Sequence, residues 1–336
     1  MTGNDQAIGT ILPPAPGRPY ATVLGMGDRD LPALSADSIE TLLKAHGAVL
    51  VRGYRADIDA FRRFSDPFCA SWVINEAKNR DILDSEHNVQ SVDRGTEAFA
   101  LHSEISRSPW RPDICFFFCV EPPAAGGETT LCDGIALAAA LPEEIRAALL
   151  RQRFVYLRAM PPAALAYWLG TATPGPEQLA HPPADCPFRF VRKDGRILSV
   201  FTRPALHKPL FSDARAFANF LLFARDMHHN TDFPLLANGR RVPDEWVDAI
   251  RHASQQLTAA IAWERGDLLL LDNSRFMHGR ARVIDPANRI IASRFGYLRS
   301  APASEGDPPD PVWRRRSFAP PGDGQARGMT DPAGPQ

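Results

Sequence analysis

The sequence predicts an α+β fold, a sandwich or double-sheet barrel of short strands with a few helices packed on it. Three observations carry this. Runs rich in aromatic and β-branched residues, such as ICFFFCVE (114–121) and RIIASRFGYL (289–298), are bounded by turn residues. Helical patterns fall between them without strict strand-by-strand alternation. No Gly-x-Gly-x-x-Gly follows a strand, so a doubly wound, dinucleotide-binding sheet has no support.

Along the chain, residues 1–20 are rich in Gly and Pro and read as a loosely held N-terminal arm. Ile39, Leu42 and Leu43 have helical spacing, Ser35 or Asp37 can cap the start, and Gly47 suits the stop. AVLVRGY (48–54) follows as a strand. ICFFFCVE is a buried strand, residues 122–127 a turn, and TTLCD (129–133) a short strand. Pro142-Glu143-Glu144 and Pro243-Asp244-Glu245 each open a helix, with proline at a tolerated position and acids at the positive end. Phe217, Phe220, Leu221 and Ala224 mark one further helical face. DLLLLDN (267–273) and RIIASRFGYL close the set as strands. Residues 21–300 read as a single domain, with segments 70–100 and 160–185 as candidates for mobile loops. Residues 301–336 hold eight prolines and read as a mostly disordered tail, in which Arg314, Arg315 and Arg316 are a solvated charge cluster.

Composition bounds the function. At 44% hydrophobic and 23% charged residues, the 336-residue chain has the make-up of an ordinary globular protein. A net charge of −1 gives no footprint for nucleic acid or an anionic membrane. The apolar runs are too short to span a bilayer, and the N-terminus shows no basic-then-apolar leader pattern. Five cysteines, with no Cys-x-x-Cys pair, suit a reduced, cytoplasmic setting.

The chemistry-bearing pattern is His102-Ser103-Glu104, then His278, then Arg289. Two imidazoles and one carboxylate are the ligand set of a non-haem Fe(II) centre that keeps positions open for O2 and a co-substrate. In an extended segment His102 and Glu104 point to one face, and Ser103 points away. His278 sits just past the strand ending in Asp272-Asn273. Asn273 either orients a ligand or simply ends that strand. A guanidinium at Arg289 can take a co-substrate carboxylate in a bidentate grip, and the Thr129 hydroxyl can support it. The same ligand trio also suits catalytic zinc, although the helical His-Glu-x-x-His pattern is missing.

With these residues, three stretches resemble the taurine dioxygenase/clavaminate synthase-like (TauD/TfdA-like) superfamily of Fe(II)- and 2-oxoglutarate-dependent oxygenases. They are 46–54, LHSEISRSPWRPDICFFFCVEPPAAGGETTLCDG (101–134) and WERGDLLLLDNSRFMHGRARVIDPANRIIASRFG (263–296). His-x-Glu followed by Gly-Gly-Glu-Thr is similar to the branch containing clavaminate synthase and the syringomycin-pathway aspartyl hydroxylase. The resemblance implies a double-stranded β-helix (jelly-roll, cupin-like) with flanking helices. It implies iron on His102, Glu104 and His278, and 2-oxoglutarate on Thr129 and Arg289. Members often carry a second Arg four residues beyond the first. Here that position is Ser293, and a plain strand turns the next one, Arg294, to the opposite face. Related halogenases replace the carboxylate ligand, so its retention as Glu104 favours hydroxylation or desaturation.

Gln90, Ser91, Trp110, Asn219 and Arg294 are the candidate substrate contacts. Each also has a plain reading as packing or loop structure. The implied substrate is a small molecule, an amino acid or related metabolite, free or tethered to a carrier protein. Two other classes compete: a zinc-dependent hydrolase, and a non-catalytic sensor on the same fold. Oligomeric state has no signature in the sequence.

Overall fold

The computed structural model describes residues 9–25, 29–75, 77 and 79–321. Two sheets face one another across an apolar core, and helices cover both outer faces. The larger sheet has nine strands. Its path runs Thr10–Leu12, Ala21–Leu24, Ala48–Arg52, Leu268–Asp272, Ile114–Glu121, Ile290–Leu298, Val89–Ser91 and Ile82–Asp84, and Cys69–Val73 also pairs with Ile290–Leu298. Among the described residues, only the Ala21–Leu24/Ala48–Arg52 strand pair of this sheet is parallel. The smaller sheet is antiparallel, in the order Ala259–Ile261, Thr129–Asp133, Phe276–Arg280, Phe99–His102.

Side-chain alternation explains the layering. In Ile114–Glu121, Ile114, Phe116 and Phe118 face a core shared with the helices Ala36–His46 and Ile58–Ser65. Cys115, Phe117 and Cys119 face the smaller sheet. Leu269 and Leu271 do the same from the neighbouring strand, meeting Leu131, Ile261 and Phe276. The helices Gly134–Ala140, Leu221–Asp226 and Asp244–Leu257 close the far side of the smaller sheet. All five cysteines are free, and four are buried, behaving as small hydrophobes.

The end signals of the first helix match the structure. Ser35 Oγ accepts from the Ser38 N–H at 3.3 Å, and Gly47 closes the helix at φ 76°. Of the two caps open to the sequence, Ser35 serves. The 217–224 pattern is helical only from Leu221; Phe217 and Ala218 precede the helix as buried chain without regular structure. A third sheet, Arg189–Lys193, Arg196–Pro204, Arg153–Ala159 and Leu235–Leu236, was not legible in the pattern. Its strand Arg153–Ala159 buries Phe154 and Tyr156 against the helices behind the smaller sheet, and Phe190 meets an outer aromatic cluster with Trp168 and Phe188.

Two terminal expectations are corrected. Part of the 1–20 arm is sheet: Thr10–Leu12 pairs antiparallel with Ala21–Leu24. The 301–336 tail packs as far as residue 321. Trp313 is buried, and Arg314 makes a bidentate ion pair with the buried Asp113 at 2.8 Å and 2.8 Å, so it is not a solvated charge. Residues 322–336 lie outside the described ones. Segments 70–100 and 160–185 also carry regular structure, including Phe99–His102 and the helix Pro162–Leu169. Among the described residues no helix is long and apolar enough to cross a membrane.

Candidate metal centre

His102 ends the edge strand of the smaller sheet, and His278 lies directly opposite it in the neighbouring strand. Their rings stand 4.5 Å apart between centroids. His278 therefore belongs to a strand of its own, Phe276–Arg280, and does not merely follow the preceding one. Glu104 is not extended either. It occupies a turn after His102, and Ile105 beyond it has φ 52°, a strained value for a β-branched residue. The turn, not strand alternation, brings the carboxylate under the two rings. One ligand atom from each of His102, Glu104 and His278 lies within 4.8 Å of the others.

The protonation states suit a cation. His102 Nδ1 lies 3.0 Å from the Ala100 carbonyl, which fixes that nitrogen as the donor and leaves Nε2 for a metal. Burial, then the neighbouring His278, pushes His102 down to about 4. Burial alone would raise Glu104, but His278, Arg80 and His102 outweigh it and hold the carboxylate at about 2. So a neutral imidazole faces an ionised carboxylate, as metal ligation requires. Glu104 Oε2 and His278 Nδ1 are both buried without a hydrogen-bond partner. Oε2 meets only His278 Nε2 at 3.6 Å and Arg80 at 3.8 Å, both beyond hydrogen-bond reach, so a metal ion between the ligands would complete its coordination. The donor set fits iron.

Several residues hold this geometry. Asn273 binds the Glu104 main chain on both sides, and Ser103 Oγ donates to the Asn273 carbonyl at 2.6 Å. Asn75 Nδ2 donates to Glu104 Oε1 at 2.8 Å. Arg80 approaches Glu104 Oε2 at 3.8 Å and donates to Ser293 Oγ at 3.2 Å. Asn75 and Arg80 went unnoticed in the sequence, because they come from a polar stretch with no periodicity. Arg80 puts a guanidinium beside Ser293, the position at which the resemblance predicts a second arginine in the strand itself.

Toward the other end of the smaller sheet, Thr129 Oγ1 accepts from Trp263 Nε1 at 3.0 Å. The turn before it is made by Gly126 and Gly127 at φ 70° and 72°. Arg289 is half-buried near this turn. It makes one long bond, 3.3 Å to the Asp93 carbonyl, and its Nε is buried and unpartnered. Burial, then the nearby Arg280, brings it down to about 10.

The remaining expectations divide. Arg294 is corrected: it is buried on the far face of the larger sheet. It stacks 3.5 Å over Trp72 and donates to Ser65 Oγ and Asp66 Oδ1. Gln90 and Ser91 make bonds within the fold. The Gln90 amide exchanges two 3.1 Å bonds with the Asn75 main chain, and Ser91 Oγ accepts from the Asp81 N–H. Both secure the segment that delivers Asn75 and Arg80. Asn219 accepts from the Leu221 N–H, and its Nδ2 is buried and unpartnered. Trp110 lines a cavity with Tyr156 and Trp168.

Comparison with known proteins agrees with this geometry. The model of the taurine catabolism dioxygenase TauD, TfdA family matches residues 13–294. The dapdiamide synthesis protein DdaC of Enterobacter agglomerans is 23% identical over 303 residues, covering 80% of this chain and 89% of that protein. A taurine dioxygenase from Burkholderia xenovorans superposes with a TM-score of 0.57 at 15% identity, covering 89% of this chain and 91% of that one. PvcB, an Fe, alpha-ketoglutarate dependent oxygenase from an isonitrile synthetic pathway, superposes at 0.55 with 14% identity, covering 88% and 93%. The chain belongs to the taurine catabolism dioxygenase TauD, TfdA family and is an iron- and 2-oxoglutarate-dependent dioxygenase.

Proposed function

We propose that this dioxygenase oxidises an unactivated C–H bond of a small molecule, an amino acid or specialised metabolite, by hydroxylation or desaturation. Succinate and CO2 are the co-products. His102, Glu104 and His278 hold the iron, and Arg289 with Thr129 holds the distal carboxylate of 2-oxoglutarate. The two facing sheets are read as a double-stranded β-helix. Bound iron supplies the activation of O2; the chain's own residues bind, orient and exclude water.

The observation that carries this reading is the buried cluster of His102, Glu104 and His278, with Glu104 Oε2 lacking a hydrogen bond, beside the under-partnered Arg289 available for an anion. A zinc hydrolase would leave Arg289 and Thr129 without a task. A sensor would have no need of an intact ligand trio. The retained carboxylate favours oxidation over halogenation. The synthetic pathways named for DdaC and PvcB support a specialised metabolite as substrate.

The test is a screen of amino acids and metabolites with Fe(II), 2-oxoglutarate and O2, read by substrate-dependent succinate release. Anaerobic Fe(II) with 2-oxoglutarate should also give a weak visible charge-transfer band. The band should disappear in His102→Ala and His278→Ala. A wild-type protein without the band sinks the reading, and a persistent band in either variant overturns that ligand's assignment.

A further inference from the structure

The two carboxylate oxygens of Glu104 have different surroundings. Asn75 Nδ2 donates to Oε1 at 2.8 Å. Oε2 has no hydrogen bond and faces His278 Nε2 at 3.6 Å. A carboxylate that is free to turn can close on a cation with both oxygens and take two positions in place of one. Glutamate carries one more rotatable bond than aspartate, so its carboxylate has more freedom to do so. Asn273 holds only the main chain of Glu104, and the far end of the side chain needs a tether of its own.

Asn75 has the contacts of such a tether. Its Oδ1 accepts the Ala77 N–H at 2.9 Å, which leaves the amide N–H groups turned toward Glu104. Gln90 pins the Asn75 main chain on both sides: Oε1 accepts the Asn75 N–H and Nε2 donates to the Asn75 carbonyl, each at 3.1 Å. Gln90 itself lies in Val89–Ser91, opposite Ser293 in the register with Ile290–Leu298. Ser293 Oγ donates to the Gln90 carbonyl at 3.2 Å. The tether is thus rooted in the larger sheet, whereas His102 and His278 both belong to the smaller one. The carboxylate is held from one layer and the imidazoles from the other.

We propose that Asn75 is a positioning residue for co-substrate binding. By occupying Oε1 it limits Glu104 to one oxygen on the iron, and so keeps a neighbouring position open for the 2-oxo acid. It does this without belonging to the carboxylate anchor at Arg289 and Thr129. Gln90 acts one step further back, by holding Asn75. The inference rests on the assignment of His102, Glu104 and His278 as the iron ligands.

The test is anaerobic calorimetric titration, first with Fe(II) and then with 2-oxoglutarate at saturating Fe(II). Asn75→Leu keeps the bulk and removes the donor; Asn75→Ala serves if the leucine variant does not fold. The loss of a hydrogen bond to a charged group should raise the 2-oxoglutarate Kd about tenfold or more, and by a larger factor than the Fe(II) Kd. A tether that merely stabilised the ligand would give the reverse: weaker Fe(II) binding and a wild-type 2-oxoglutarate Kd at saturating metal, which overturns the inference. Asp84→Ala is the control. It removes the acceptor of the Glu86 and His87 N–H groups at the far turn of the same hairpin, and both constants should stay at wild type. A 2-oxoglutarate defect as large as that of Asn75→Leu would mean that any loosening of the segment suffices, and the specific role of Asn75 would fall. His278→Ala separates the two levels of the argument. If it binds Fe(II) like wild type, the ligand assignment fails and this inference fails with it. If it loses Fe(II) while Asn75→Leu keeps the wild-type 2-oxoglutarate Kd, this inference alone fails.

Discussion

Asn273 grips the main chain of Glu104 from both sides: its Oδ1 accepts the Glu104 N–H at 2.7 Å and its Nδ2 donates to the Glu104 carbonyl at 3.0 Å. The same amide donates to the Pro112 carbonyl at 2.9 Å. It is buried, so a truncated side chain leaves one N–H and two carbonyls without partners. Asn273→Ala should cost about 3 kcal/mol of stability or more in urea denaturation. It should also weaken Fe(II) binding by about 10- to 100-fold in anaerobic titration, because it frees the turn that aims the carboxylate. Unchanged metal affinity in a folded variant would show that the turn holds itself.

Arg294 sits behind the sheet, between Trp72 and the Ser65–Asp66 corner, with almost no exposure. Its removal leaves Asp66 paired with Arg62 alone and opens a void over the indole. Arg294→Ala should lose about 2 kcal/mol or more, from the void and the lost bonds to the His87 and Arg62 carbonyls. The fraction that folds should keep the wild-type 2-oxoglutarate KM. A raised KM with unchanged stability would move Arg294 back to the site.

Arg289 and Thr129 should respond in the opposite sense. Arg289 is already under-bonded, so Arg289→Ala should change stability little and raise the 2-oxoglutarate KM by about 100-fold, the worth of a charged bidentate contact. Thr129→Val keeps the shape but strips the acceptor from the Trp263 indole N–H, and about a tenfold rise is expected. Co-substrate dependence that survives both changes would assign the carboxylate to Arg280, which lies opposite Thr129 in the sheet register.

The sequence made the strands legible where burial is two-sided. ICFFFCVE coincides with Ile114–Glu121, since apolar side chains on both faces leave no competing pattern, and TTLCD coincides with Thr129–Asp133 after the Gly126-Gly127 turn. The ligand trio was legible as residue types, but its delivery was not. His-x-Glu suggested strand alternation, whereas a strained turn at Ile105 does the work, and one sequence does not encode that φ. Asn75 and Arg80 reach the site only because Gln90 pins their segment through long-range bonds, a relationship with no local signal. The third sheet is local at one edge, where Lys193 pairs with Arg196 across Asp194-Gly195, and distant at the other, where Arg196–Pro204 pairs with Arg153–Ala159.

The metal-free protein should lose stability on mild acidification through His102. Burial and His278 depress its folded pKa to about 4 from an ordinary value of 6.5. Between those limits the unfolded chain binds the proton and the folded one does not. The contribution is therefore fully present above pH 6.5 and is lost as pH falls toward 4. Between pH 7 and pH 5 the loss from this group should be about 2 kcal/mol. Glu104 has the same sign but acts lower, from 4.5 down to about 2, so it does not contribute in that interval. Urea denaturation of apo wild type and His102→Gln at both pH values checks the argument: the wild type should fall further by that margin. Parallel losses would mean that His102 is solvated enough to protonate in place, and its ring could not then be held neutral for a metal.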